Sequence, residues 1–83
     1  MATMGGSGMK GMASALEGKK GEELEVSFLE GMIEHHQDAV NMAHKIKEGS
    51  KRPELQKLAD DIISAQTSEI ETMKGWLNQW YGR

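Results

Sequence analysis

The sequence has no cysteine, one proline, one phenylalanine and one tyrosine among 83 residues. Without cysteine there is no disulfide and no thiolate metal site. No stretch approaches the roughly 18 consecutive apolar residues that a membrane helix needs, so insertion of a helix into a membrane is not expected. Acids outnumber Lys and Arg by thirteen to ten, for a net charge of -3, and the bases are scattered. There is no basic face for a phosphate backbone, and nucleic acid is not an expected partner. Apolar residues make up only 37% of the chain. A core of that size is marginal in one small domain, and with disulfides excluded the remaining devices are a bound metal or self-association.

What is present divides the chain in two. Residues 1–21 hold six of the ten glycines and four of the seven methionines, a flexible lead-in in which Met9, Met12, Ala13 and Leu16 allow one short helix. The start MATMGGSGMKGM lacks the apolar centre of a secretory signal. Cytoplasmic, mature exported and fragment readings all stay open on that ground.

Residues 22–83 carry helical periodicity. Leu24, Phe28, Met32, Ala39, Met42, Ala43 and Ile46 recur at steps of three and four, which predicts a first long helix over 22–48. Glu22 and Glu23 suit its first turn, Lys45 and Lys47 its last, and Gly49 a left-handed cap. Pro53 fits the first position of a second helix, whose stripe of Leu55, Leu58, Ala59, Ile62, Ile70, Met73, Leu77 and Trp80 runs to about Tyr81. Gly31 and Gly75 interrupt these helices at a cost of about 1 kcal/mol each, with close helix approach the one suggestion for Gly31. A short linker between equal helices implies antiparallel neighbours. The expected fold is therefore all-α: an antiparallel helical hairpin with a short N-terminal helix. A hairpin covers only one side of each stripe, so a four-helix bundle formed by a homodimer is the expected assembly, with cover by the lead-in as the rival.

Within the first helix, MIEHHQDAVNMAH (residues 32–44) sets two histidines in the apolar stripe. At about 100° per residue from Phe28, the stripe centres near +40°, with His35 near -20° and His36 near +80°, so both rings are expected inward. His44, near 160°, belongs to the solvated flank. Gln66 and Glu69 interrupt the second stripe in the same way. Folding the chain about Ser50 and Lys51 sets His35 and His36 level with Gln66, and Met32 level with Glu69. Buried polar groups left unpaired cost roughly 1–3 kcal/mol each, so a layer of four must be satisfied by one another, by water or by an ion.

Two readings follow. In one, Glu69 accepts from an imidazole, Gln66 bridges, and the network sets helix register. In the other, the layer is a metal site between facing helices. Thioether with imidazole selects a soft ion, and copper as Cu(I) suits Met32, His35, His36 and Met73 better than magnesium or calcium, with Glu69 and Gln66 orienting the rings. Met42 presents a further sulfur but lies about 10 Å along the axis from His35. As core residues, Met42 and Met73 would be ordinary gap fillers. Di-iron spacing, a zinc-protease His-Glu-x-x-His, a nucleophile with its base and a phosphate loop are all missing. No catalytic constellation is present, and redox activity has no named substrate. Trp76 and Trp80 are expected at the capping end of the bundle, where a cation over an indole is an alternative.

The stretches FLEGMIEHHQDAVNMA (residues 28–43) and PELQKLADDIISAQTSEIETMKGWL (residues 53–77) resemble the bacterial family known as domain of unknown function 305. The likeness covers about two thirds of the chain, and the lead-in Met9-x-x-Met12 looks similar too. The resemblance implies a usually exported, periplasmic or secreted helical protein, in a family with copper-binding and copper-tolerance members. It puts Met32, His35, His36, Met42, Gln66, Glu69 and Met73 at motif positions. This chain departs in carrying one copy of a helical unit that many members carry twice, and in placing Arg52 where an acidic capping residue often precedes the proline. The function expected is a copper buffer, carrier or tolerance factor, with a structural or interaction bundle as the alternative. The Met-rich lead-in reads equally as a soft-metal arm or as a Gly-rich tail.

Overall fold

The structure, a computed structural model, describes residues 13–83. A single helical turn over residues 13–16 precedes the two long helices, α1 (Gly21–Gly49) and α2 (Pro53–Tyr81), and no strand is present among the described residues. Met9 and Met12 lie outside the described residues. The two helices pack as a hairpin with dimensions of 46 × 28 × 13 Å. An α-helix with its side chains is about 10–12 Å across, so the hairpin is one helix thick.

The ends of the helices follow the expected chemistry with one exception. Pro53 occupies the first turn of α2, and Glu22, Glu23 and Glu54 put negative charge at the helix starts. Gly49, expected as a left-handed cap, instead completes the helix. The chain leaves α1 through Ser50 in extended conformation (φ -110°, ψ 141°), with the Ser50 amide donating to the Ile46 carbonyl at 2.9 Å. Gln56 explains why no left-handed residue is required: its side-chain amide donates to the Ser50 carbonyl at 2.8 Å, holding the three-residue linker from the α2 side. The left-handed cap falls at Gly82 (φ 72°), where the amide donates to the Asn78 carbonyl.

The packed face of α1 is not the face centred on Met32. Its buried residues are Val26, Leu29, His36, Val40 and Ala43, facing Ala59, Ile70, Met73 and Leu77 of α2. Phe28, Met42 and Ile46 are exposed, as are Leu55, Leu58, Trp76 and Trp80. The reason lies in the width of the apolar arc. At about 100° per residue, the buried set centres roughly 100° around the helix from Phe28, Met32, His35, Ala39, Met42 and Ile46. Each helix thus has two apolar edges, and the hairpin uses one.

The main core cluster is Val26, Leu29, Met73 and Leu77, with Met32, Ile33 and Tyr81 packed against it. Near the linker the interface narrows to Val40, Ala43 and Ala59, small residues that give little apolar burial. Two polar contacts tie the helices at either end. Lys47 pairs with Asp60 at 2.6 Å near the linker, and the Tyr81 hydroxyl donates to Glu25 at the open end.

These contacts correct the helix register. His36 meets Glu69, Lys47 meets Asp60 and Glu25 meets Tyr81. Each α2 partner lies about one turn further along than simple folding about Ser50 and Lys51 places it. Helical side chains lean toward their own N-terminus, and in antiparallel neighbours these leans are opposed, so touching tips belong to residues whose Cα atoms are offset.

Candidate metal centre

His36 is the one buried polar residue among the described side chains. One helical turn after Met32, its Nδ1 is 2.7 Å from the Met32 carbonyl oxygen. A carbonyl can only accept, so Nδ1 carries the hydrogen and donates it. Nε2 lies 2.5 Å from Oε1 of Glu69. The backbone bond at Nδ1 therefore leaves Nε2 as the ring nitrogen turned toward Glu69 and the cavity.

Around this pair is a cavity of about 270 Å³ lined by Phe28, Leu29, Met32, His36, Glu69, Thr72, Met73 and Trp76. Met32 and Met73 come together here because of the corrected register, one turn from the His36 and Glu69 level. The cavity offers two thioethers, one imidazole nitrogen and one carboxylate, and its remaining walls are mostly apolar. That donor set fits a soft monovalent ion and is poor for magnesium or calcium. No group of three or more His, Asp or Glu side chains converges among the described residues, so there is no site of oxygen and nitrogen donors alone.

The other residues singled out from sequence are distributed differently. His35 is half-buried on the second apolar edge of α1, next to His36 but not in the cavity lining. Gln66 is half-buried, and no hydrogen bond joins it to His36 or Glu69 among the described residues, so the expected bridge is not made. Glu69 itself stays accessible, with 58% of its side chain exposed against 10% for His36. Met42 is exposed and lines a separate apolar groove of about 300 Å³ with Ala39, Ile46, Leu55, Leu58 and Ile62. His44 is exposed, as its flank position implies.

Trp76, expected at the capping end of the bundle with a cation over its indole as the alternative, lines the His36 cavity. Its signal was present, since Trp76 follows Glu69 by seven residues and Met73 by three and so shares their face. Trp76 stacks on Trp80 with centroids 5.3 Å apart and planes 5° from parallel, and Trp80 meets Tyr81 edge-on at 6.2 Å. The hydrogen bond to Glu25 and the negative charge beside it push the Tyr81 hydroxyl up from its ordinary value to about 12.

Comparison with known proteins adds to this geometry. The profile of the family described as domain of unknown function 305 matches residues 1–77. Among solved structures, CopM in its Ag-bound form is 46% identical with a TM-score of 0.74, the match covering 82% of this chain and 48% of CopM. CopM in its Cu(I)-bound form is 44% identical with a TM-score of 0.75, covering 84% and 49%. The uncharacterized protein L153 of Acanthamoeba polyphaga mimivirus is 40% identical over 52 residues, or 63% of this chain and 34% of that protein. The chain spans about half the length of the solved proteins it matches and a third of the viral one.

Proposed function

Because the chain belongs to the domain of unknown function 305 family and lines one cavity with an imidazole and two thioethers, we propose that it binds Cu(I) at Met32, His36 and Met73. The observation that carries this reading is the orientation of His36. Its Nδ1 hydrogen is committed to the Met32 carbonyl, which aims Nε2 across the helix interface at Glu69, in the cavity that Met32 and Met73 also line. Glu69 holds the apo imidazole in place and supplies negative charge next to the bound cation. The similarity to CopM, solved in Cu(I)-bound and Ag-bound forms, supports the same class of ion here. His35, Met42 and Gln66 lie outside this cavity and are assigned to the periphery of the site. The protein acts as a buffer, carrier or tolerance factor and not as a catalyst. A periplasmic or secreted location follows the family resemblance.

A second copy of the hairpin completes the structure in this proposal. The second apolar edge of α1, together with Leu55, Leu58, Ile62, Trp76 and Trp80 of α2, faces outward from a layer one helix thick. On α1 the two edges lie about 100° apart, near the right angle at which each helix of a four-helix bundle meets its two neighbours. Glu69 is the one acid on this edge of α2 between Leu55 and Trp80, and its carboxylate is already paired with His36.

The test is competition for Cu(I), or for Ag(I) as its redox-stable counterpart, against a chelator of known affinity. Wild type is expected to withdraw the ion, with the affinity falling at least about tenfold in His36→Ala and in Met32→Leu. Failure of wild type to compete overturns the proposal. It would leave the second reading, in which the 2.5 Å His36–Glu69 contact is a structural bond alone.

A further inference from the structure

Trp76, with Phe28 and Leu29, lines two neighbouring cavities. One is the space it shares with Met32, His36, Glu69 and Met73, and the other the space it shares with Glu25, Trp80 and Tyr81. Trp80 lines only the second. The two indoles are parallel and stacked, so Trp80 covers one face of Trp76, while Trp76 and not Trp80 lines the cavity of the sulfurs and the imidazole. An indole face is the most electron-rich apolar surface a protein offers, and it attracts a cation most strongly where water is excluded.

We infer that Trp76 is a wall of the ion site, holding a soft monovalent cation against its free face while Met32, His36 and Met73 ligate it. This inference rests on the site proposed above and adds a determinant of ion selectivity to it. A monovalent d10 ion sheds its water readily and gains from the indole quadrupole, whereas a small divalent ion must give up tightly held water that an indole face cannot replace. Phe28 and Leu29 extend the same apolar lining. Stacking on Trp80 restrains the ring, so the face is set before the ion arrives.

Single-tryptophan variants test this. In Trp80→Phe, where Trp76 is the sole indole, Ag(I) is expected to quench the emission and produce a red-shifted indole difference band that saturates with the binding isotherm. In Trp76→Phe, where Trp80 is the sole indole, Ag(I) is expected to leave the difference spectrum flat. Chelator competition should show Ag(I) affinity falling about 2–30-fold in Trp76→Leu, with Trp76→Phe between it and wild type. Far-UV circular dichroism on each variant verifies the helices. An unchanged Trp76 spectrum in Ag(I)-saturated Trp80→Phe, or wild-type affinity in a folded Trp76→Leu, overturns the inference and leaves the ligand set standing. Absence of Ag(I) binding to wild type overturns both.

Discussion

At the scale of single residues, the molecule turns on His36 and Tyr81, each tied across the hairpin to one carboxylate. His36→Ala removes a buried ring and its bonds to the Met32 carbonyl and Glu69. Glu69 is exposed enough to regain water, so the expected loss is moderate, about 1–2 kcal/mol by urea denaturation without metal. Tyr81 makes a prediction about pH. Its folded value, raised to about 12, lies above that of an unfolded tyrosine. The protonated hydroxyl is therefore favoured by the fold, and its contribution is fully present below about pH 10 and lost as pH rises toward 12. Absorbance of the phenolate at alkaline pH should place the titration above the free tyrosine value, and Tyr81→Phe should flatten the alkaline fall in stability.

At the scale of the helices, two positions fall short of what helix chemistry allows. An added Cβ at Gly75 meets nothing within 4 Å, so its place in the middle of α2 has no steric cause. Gly75→Ala should stabilise the fold by about 0.5–1 kcal/mol in thermal or urea unfolding. Arg52 stands at the N-cap of α2 in extended conformation with no side-chain bond to the helix. Arg52→Asp should add about 1 kcal/mol by accepting from the free amides of the first turn. Most of this scale was legible from sequence: both helices, the proline start and the antiparallel turn rest on local periodicity and capping chemistry. Gly49 was not, because the decisive partner, the Gln56 side chain, comes from the other helix.

At the scale of the whole molecule, the unused apolar edge governs behaviour. A layer one helix thick in which no described large side chain is fully buried has little stability alone. Sedimentation is expected to show a concentration-dependent dimer, and Leu58→Glu, which sets a charge on the 53% exposed Leu58, should shift it to monomer. The ion cavity opens beside the same edge. By linkage, saturating Ag(I) should tighten the dimer, and the ion's affinity should rise with protein concentration. A dimer constant indifferent to Ag(I) would place ion binding wholly within one hairpin.

The sequence by itself determined the elements and the residue types of the site, since helical period, caps and soft donors are properties of neighbours along the chain. Tertiary structure alone decided which donors meet. The opposed lean of side chains in antiparallel helices moved Glu69 to His36, brought Met73 to the level of Met32 and left Gln66 aside. The choice between two apolar edges was equally beyond a single helix's pattern, because an arc that wide is satisfied on either edge until a second helix takes one.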